Sequence, residues 1–353
     1  MAEGNTYSRE KEKKNRLLLF ELKKSLPRST YDYLDDKAAN NPNTALAYAH
    51  DLITFYEYIL EFNPECKGLE MKDISDDILE KLTYQDINEY QAYLSIKHPE
   101  ITGSNEHNCH NPGIARRMSA LRGYFEYQCE HGYMSNNPTV GSIKIDSRSD
   151  KHAIIRLTSS EVNTLLNLVK SGDVGSEHQN KILLNTKYRD YAILFLLLNT
   201  GIRVSECVGL DISDINFNEN SMRVFRKGQK EQYLYFNEDV LEALTDYIEL
   251  ERVKYLTSDK EPALFLSTQK KRMSTRAIQS MVSKYASIAI SNKRITPHKM
   301  RSTYGTALYN QTGDIRLVAD VLGHNDINTT AKHYADIEDK HRRIAATIKP
   351  YDE

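Results

Sequence analysis

The sequence predicts a mainly α protein of two domains: an N-terminal helical bundle, and a C-terminal α+β domain with a small antiparallel sheet. Three observations predict it. At 353 residues the chain is long enough for two cores. Apolar residues recur at helical period in most of it, as in Leu46, Leu52, Ile53, Phe55, Tyr56 and Ile59. Two short alternating runs, Ser221 to Phe225 and Gln232 to Tyr235, flank the turn Lys227-Gly228-Gln229-Lys230, the pattern of a hairpin.

Taken in order, residues 1–28 carry eight basic and four acidic residues and predict a helix over 8–24 with a partly apolar stripe. A second helix is expected over 29–39, ending at Asn40-Asn41-Pro42, and a third over 44–62. Residues 86–95 predict another. Asn111-Pro112-Gly113 introduces a longer one over 114–131, with Arg116, Arg117 and Arg122 on one side and Met118, Leu121, Tyr124 and Phe125 behind. That arrangement suits a helix laid against a nucleic-acid backbone, and equally an ordinary bundle helix. Asn137-Pro138 closes the bundle, giving a first domain over 1–141 with residues 1–28 as a basic helical extension. The polar stretch 142–156 is expected to be a linker and 157–353 the second domain. Thr158 and Glu161 form a capping-box signature ahead of Val162, Leu165, Leu166 and Val169. Residues 171–186 read as a long loop, 190–198 as a buried helix ending at Gly201, 276–290 as a helix, and 338–348 as a last amphipathic helix.

The formal net charge of −2 conceals segregation. Residues 268–301 hold nine Lys or Arg, among them Lys270, Lys271, Arg272, Arg276, Lys293 and Arg294, and no acid. Residues 61–90 carry a net charge of −6. Charge sorted in this way can present one basic face to a polyanion. Four cysteines at irregular spacing, without a CxxC, read as reduced thiols rather than a disulfide framework. His107, Cys109 and His110 have no second ligand pair at a suitable distance, so no metal site is expected. No apolar run reaches bilayer length and the N-terminus lacks a signal-peptide core, which leads to the expectation of a cytoplasmic, nucleoid-associated protein without membrane partners.

The chemistry-bearing residues lie in two stretches. Thr200-Gly201-Ile202-Arg203-Val204-Ser205-Glu206 follows the apolar run 191–198. Near the C-terminus come His298 and Arg301, then Leu322-Gly323-His324, then Tyr334 ten residues on. A spacing of three puts His298 and Arg301 on one helix face. A guanidinium can hold two phosphate oxygens, and an imidazole can donate to one or move a proton.

T-G-x-R-x-S-E, H-x-x-R, L-G-H and Tyr, in that order, resemble the tyrosine recombinase (phage integrase) family, nearest its Xer-like and simple two-domain members. The likeness covers about 159–336 closely and the preceding region loosely. It implies a SAM-like, core-DNA-binding first domain and a catalytic second domain. It also implies a reaction in which Tyr334 attacks a phosphodiester, leaving a covalent 3′-phosphotyrosine and a free 5′ hydroxyl that rejoins strands through a Holliday junction. Arg203 and Arg301 would hold the non-bridging oxygens, His324 would hydrogen-bond one of them, and His298 would assist proton transfer from Tyr334. Lys227, in a run that resembles the family's G-K-G-x-K hairpin, would protonate the leaving oxygen; Arg226 stands where glycine is common, and Lys230 remains the alternative. Glu206 would orient Arg203. Because the ester conserves the bond energy, no cofactor is implied. The implied partners are double-stranded DNA with inverted half-sites and three further copies of the chain in a tetramer, with room for an accessory directionality protein. Chromosome-dimer resolution and mobile-element integration or excision both remain open, as do relaxation by a type IB topoisomerase-like enzyme and a non-catalytic DNA-binding protein.

Overall fold

The computed structural model describes residues 6–97, 112–143, 155–172, 180, 183–226, 230–258, 261–324 and 326–327. The chain forms two compact units, one over Thr6–His152 and one over Ala153–Glu353.

Among its described residues, the regular structure of the first unit is helical: α1 (Thr6–Lys23), α2 (Thr30–Asn40), α3 (Pro42–Phe62), α4 (Asp76–Glu80), α5 (Tyr84–Lys97) and α6 (Pro112–Glu130). The start of α3 follows from its sequence. Asn41 in extended backbone accepts from the Asn43 and Thr44 amides, and Pro42 takes the first helical position, where a missing N–H costs nothing. Its apolar stripe then buries Leu52, Phe55, Tyr56 and Ile59 against Tyr90, Leu121, Tyr124 and Phe125, each large side chain contributing about 1.5–3 kcal/mol. A core this rich in tyrosine must pair its hydroxyls. Tyr56 and Tyr124 share a hydrogen bond of 2.9 Å, Ser29 reaches Tyr124 at 3.3 Å, and Tyr33 donates to the Ala120 carbonyl at 3.2 Å.

The second unit opens on α7 (Ser159–Ser171), which carries the expected capping box between Thr158 and Glu161. Next comes α8 (Lys187–Thr200), where Ala192, Ile193, Leu194, Leu196 and Leu197 are fully buried. After the short α9 (Val204–Gly209) come β1 (Ile215–Asn216), β2 (Ser221–Phe225) and β3 (Glu231–Tyr235), an antiparallel sheet in the order β1-β2-β3. Its register pairs Ser221 with Tyr235 and Phe225 with Glu231, the hairpin expected around residues 227–230. The α-helices that follow among the described residues are α10 (Glu238–Asp246), α11 (Thr275–Ala289), α12 (Pro297–Thr312) and α13 (Ile315–Leu322).

Sequence reading did not separate α10, which starts at an Asn237 cap on the Val240 amide. The stretch after Thr296 divides into two helices. There Gly313, with φ of +66°, closes α12, and the Asp314 side chain accepts from the Arg316 and Leu317 amides to open α13. A buried polar cluster ties α8 to the rest of the unit. Arg189 pairs with Asp190, Tyr285 donates to Asp190 at 3.0 Å, and the Glu251 carboxylate accepts from the Tyr188 and Arg189 amides.

Candidate active site

The site is assembled from the ends of α8, α12 and α13. Gly201 ends α8 in left-handed backbone (φ +60°), which turns the chain and brings Arg203 to the head of α9. A Cβ at Gly201 would stand 2.6 Å from Tyr304 of α12 and 2.8 Å from Leu322 of α13, so the turn and both helices meet only because the position is glycine. Gly323 does the same after α13 (φ +61°) and delivers His324.

Three guanidinium groups converge where these ends meet. Arg203 donates to the Glu206 carboxylate at 2.7 Å and, 120 positions along the chain, to the Gly323 carbonyl at 2.7 Å; its own amide is held by Glu206 at 2.9 Å. Arg301 is buried and donates to the Gly201 and Leu322 carbonyls. Arg226, directly after β2, donates to both Glu206 oxygens at 3.0 and 2.9 Å, to the carbonyls of Leu322 and Val321 at 3.2 and 2.9 Å, and to Gln232 at 2.9 Å. The C-terminal carbonyls of a helix carry partial negative charge and lack intrahelical partners, so cations gather there naturally. Each arginine also fixes a second element to that helix end.

Among the contacts of Arg203 and Arg226 with described residues, the carboxylate is Glu206, whose side chain is only 6% exposed. Burial, with Arg203 nearby, lowers the Arg226 pKa from the ordinary arginine value, while Glu206 opposes the shift. One carboxylate between two guanidinium ions leaves a net positive charge at the mouth of the site, where the Arg203 side chain is 37% exposed. Such a centre is built for an anion with several oxygens. His298, in the first turn of α12, is exposed, and His324 is half-buried. Lys230 is exposed past the hairpin turn. Lys227 and Tyr334, the expected general acid and nucleophile, lie outside the described residues, as do His107, Cys109, His110 and the segment 338–348.

The predicted DNA-binding residues fall into two groups. Lys270, Lys271, Arg276 and Arg294 are exposed. Lys270 and Lys271 occupy a tight turn closed by Ser267 and Lys271, with Lys270 itself at φ +59°. The others are engaged within the fold. Arg272 anchors that turn to the Val208 and Leu210 carbonyls and to Asp211. Lys293 pairs with Glu161 and the Arg156 carbonyl. Arg116 forms a two-pronged pair with the buried Asp51, Arg117 donates to Thr54, and Arg122 donates to the Ile143 carbonyl. Sequence reading noticed Arg226 only as a replacement for glycine and missed its contacts; carbonyl acceptors leave no mark on a sequence. Among the described residues no group of three or more His, Cys, Asp or Glu could hold a metal ion. No helix among them is long and apolar enough to cross a membrane.

Two family models match the chain: the phage integrase family over residues 156–341 and the phage integrase SAM-like domain over 29–145. The tyrosine recombinase XerC of Caldanaerobacter subterraneus subsp. tengcongensis is 32% identical over 328 residues, covering 90% of this chain and 85% of the relative. The tyrosine recombinase XerD of Staphylococcus aureus is 36% identical over 218 residues, 62% of this chain and 69% of the relative. Among solved structures, a Tn1549 transposon integrase in complex with a circular intermediate DNA aligns at a TM-score of 0.63 with 17% identity, over 90% of this chain and 98% of that one. A lambda integrase dimer bound to a core site aligns at 0.60 with 15% identity, over 92% and 97%. These two structures share the fold, and the family models and relatives add kinship in sequence: the chain belongs to the phage integrase family of tyrosine recombinases.

Proposed function

We propose that the chain is a site-specific DNA recombinase that cuts and rejoins strands through Tyr334, with Arg203, Arg301 and His324 gathered around the scissile phosphate. The observation that carries this reading is the convergence of the T-G-x-R turn, the H-x-x-R helix and the L-G-H turn on the carbonyls of Gly201, Leu322 and Gly323.

In the reaction, the Tyr334 hydroxyl attacks phosphorus in line with the 5′ oxygen. The P–O5′ bond breaks as the P–O(Tyr) bond forms. The tyrosine proton passes to His298, and the departing oxygen takes a proton from Lys227, with Lys230 as the alternative donor. Arg203 and Arg301 hold the non-bridging oxygens and stabilise charge as it builds, the contribution that dominates catalysis of this kind. Attack by a 5′ hydroxyl on the phosphotyrosine reverses the step on the exchanged strand. The working assembly is four protomers on two DNA sites with inverted half-sites, passing through a Holliday junction. An accessory directionality protein acts on that assembly where the reaction runs one way. The boundary between DNA-clamping and catalytic domains falls in 142–156. The target DNA decides between chromosome-dimer resolution and movement of a mobile element.

The test is a denaturing gel on duplexes cut from the sequence flanking the gene, with EDTA present. Wild type is expected to form a covalent protein–DNA adduct that Tyr334→Phe does not form. An adduct that survives this substitution overturns the assignment of the nucleophile. Specific binding without any adduct supports a non-catalytic binder of the same fold.

A further inference from the structure

Glu206 sits between two guanidinium groups, of which only Arg203 faces the opening of the site. The Arg226 side chain is 8% exposed, and the five contacts given above hold it on every side. If Glu206 faced Arg203 alone, one carboxylate would cancel one guanidinium and the pair would offer an incoming phosphate no net charge. With Arg226 added, the trio carries a net positive charge, and Glu206 shares its oxygens between the two guanidinium groups. Arg226 also fixes geometry. Its backbone amide closes the hairpin on the Lys230 carbonyl at 2.7 Å, while its side chain grips the end of α13 and Gln232 of β3. Gln232 in turn donates to the Asp320 carbonyl at 2.9 Å. A Cβ at Gly323 would stand 2.8 Å from the Arg226 guanidinium carbon, so the turn that delivers His324 is closed directly against this side chain.

The geometry points to Arg226 as a positioning residue of the recombinase site, which shares Glu206 with Arg203 so that Arg203 keeps its charge and aim toward the scissile phosphate, and which locks the hairpin base to the helix end bearing His324. This inference rests on the function proposed above. Arg226 touches no reacting atom. It acts through Arg203 and through the Leu322–His324 turn.

The experiment measures single-turnover cleavage of a nicked duplex from the gene's flanking sequence by wild type, Arg203→Ala, Arg226→Met and the double variant. Arg226→Met is expected to slow cleavage about 100-fold, the usual cost of misplacing a reacting group by about 1 Å. Its affinity for the same duplex should stay within about twofold, since DNA binding rests on many phosphate contacts. In the double variant, cleavage should fall by less than the product of the two single losses, because part of the Arg226 effect runs through Arg203. On a duplex with a neutral methylphosphonate at the scissile position, the Arg226→Met deficit should shrink as the Arg203→Ala deficit does. Purely multiplicative losses in the double variant, or a deficit unchanged on methylphosphonate, overturn the proposal. Arg226→Lys, which keeps the charge but not the planar fork, is read in the same way should Arg226→Met fold poorly.

A second readout needs no cleavage. The side-chain ¹⁵N–¹H resonance of Arg203, assigned by its loss in Arg203→Ala, should be sharp in wild type and broadened or exchanged away in the Arg226 variants. If wild type forms no adduct on any duplex, the functional reading has failed, and this resonance still decides the positioning claim: unchanged in the variants, it overturns it.

Discussion

The Arg301 guanidinium donates to the carbonyl of Gly201, a hundred positions earlier in the chain, in backbone that only glycine adopts without strain. Replacing that glycine therefore disturbs two motifs at once. Gly201→Ala is expected to lower unfolding stability by about 1–3 kcal/mol from left-handed strain, with overpacking against Tyr304 and Leu322 adding to it. Cleavage should fall as Arg203 and Arg301 lose their common reference. Urea unfolding of the variant against wild type measures the first effect; a change below about 0.5 kcal/mol would contradict it.

The turn at 267–271 separates anchoring from binding. Lys270→Ala and Lys271→Ala together are expected to leave the melting temperature nearly unchanged and to reduce the salt slope of DNA binding by about two. Arg272→Ala removes the contacts to Val208, Leu210 and Asp211. It should destabilise the protein by about 2–3 kcal/mol, as losses of charged, partly buried hydrogen bonds do. Titrations at several salt concentrations, paired with thermal melts, distinguish the two. Equal effects of the lysine and arginine changes on stability would refute the division.

Arg116 spends its charge within the first unit, on Asp51, whose side chain is 4% exposed. Asp51→Asn is expected to destabilise the bundle while tightening non-specific DNA binding at low salt, because a cation is released from its partner. Weaker binding by a folded Asp51→Asn variant would instead mean that the pair is itself the DNA-contacting arrangement.

Glu251 gives the second unit a pH signature. Burial pushes its carboxyl pKa up to about 7 from an ordinary 4.5, against the opposing pull of the Arg189 amide and guanidinium, with Asp190 adding to the rise. A raised acid pKa means that the folded state holds the proton more tightly than the unfolded chain. The associated stability is fully present below about 4.5 and is lost as pH rises through about 7. Glu251→Gln keeps an acceptor for the Tyr188 and Arg189 amides and removes the titration. Melting temperatures from pH 4 to 8 should therefore decline more steeply in wild type than in the variant. Parallel curves would show that this carboxyl does not titrate in that window.

The legibility of these features follows from where their information resides. Arg203, Arg301 and His324 stand out because each lies in a contiguous motif whose spacing a helix or turn dictates, and the structure places all three around one helix end. The helix over 114–131 was likewise legible in Met118, Leu121, Tyr124 and Phe125, which are all buried. The roles of Arg226 and Arg272 were not legible. Their partners are largely backbone carbonyls and residues distant in sequence, and a run of Lys and Arg looks the same whether it faces solvent or staples loops together.

The three arginines grip carbonyl oxygens of residues 321–323, and every residue type presents a carbonyl at the same place. Side chains at Val321, which is half-buried, can therefore vary widely without unwiring the site. Reading frame along the helix cannot. One residue inserted or deleted between Asp314 and Gly323 would rotate the helix end by about 100° relative to its start, turning the acceptors away from Arg203, Arg226 and Arg301 together. Among natural or engineered variants, the length of this segment should be held fixed while its outward letters drift.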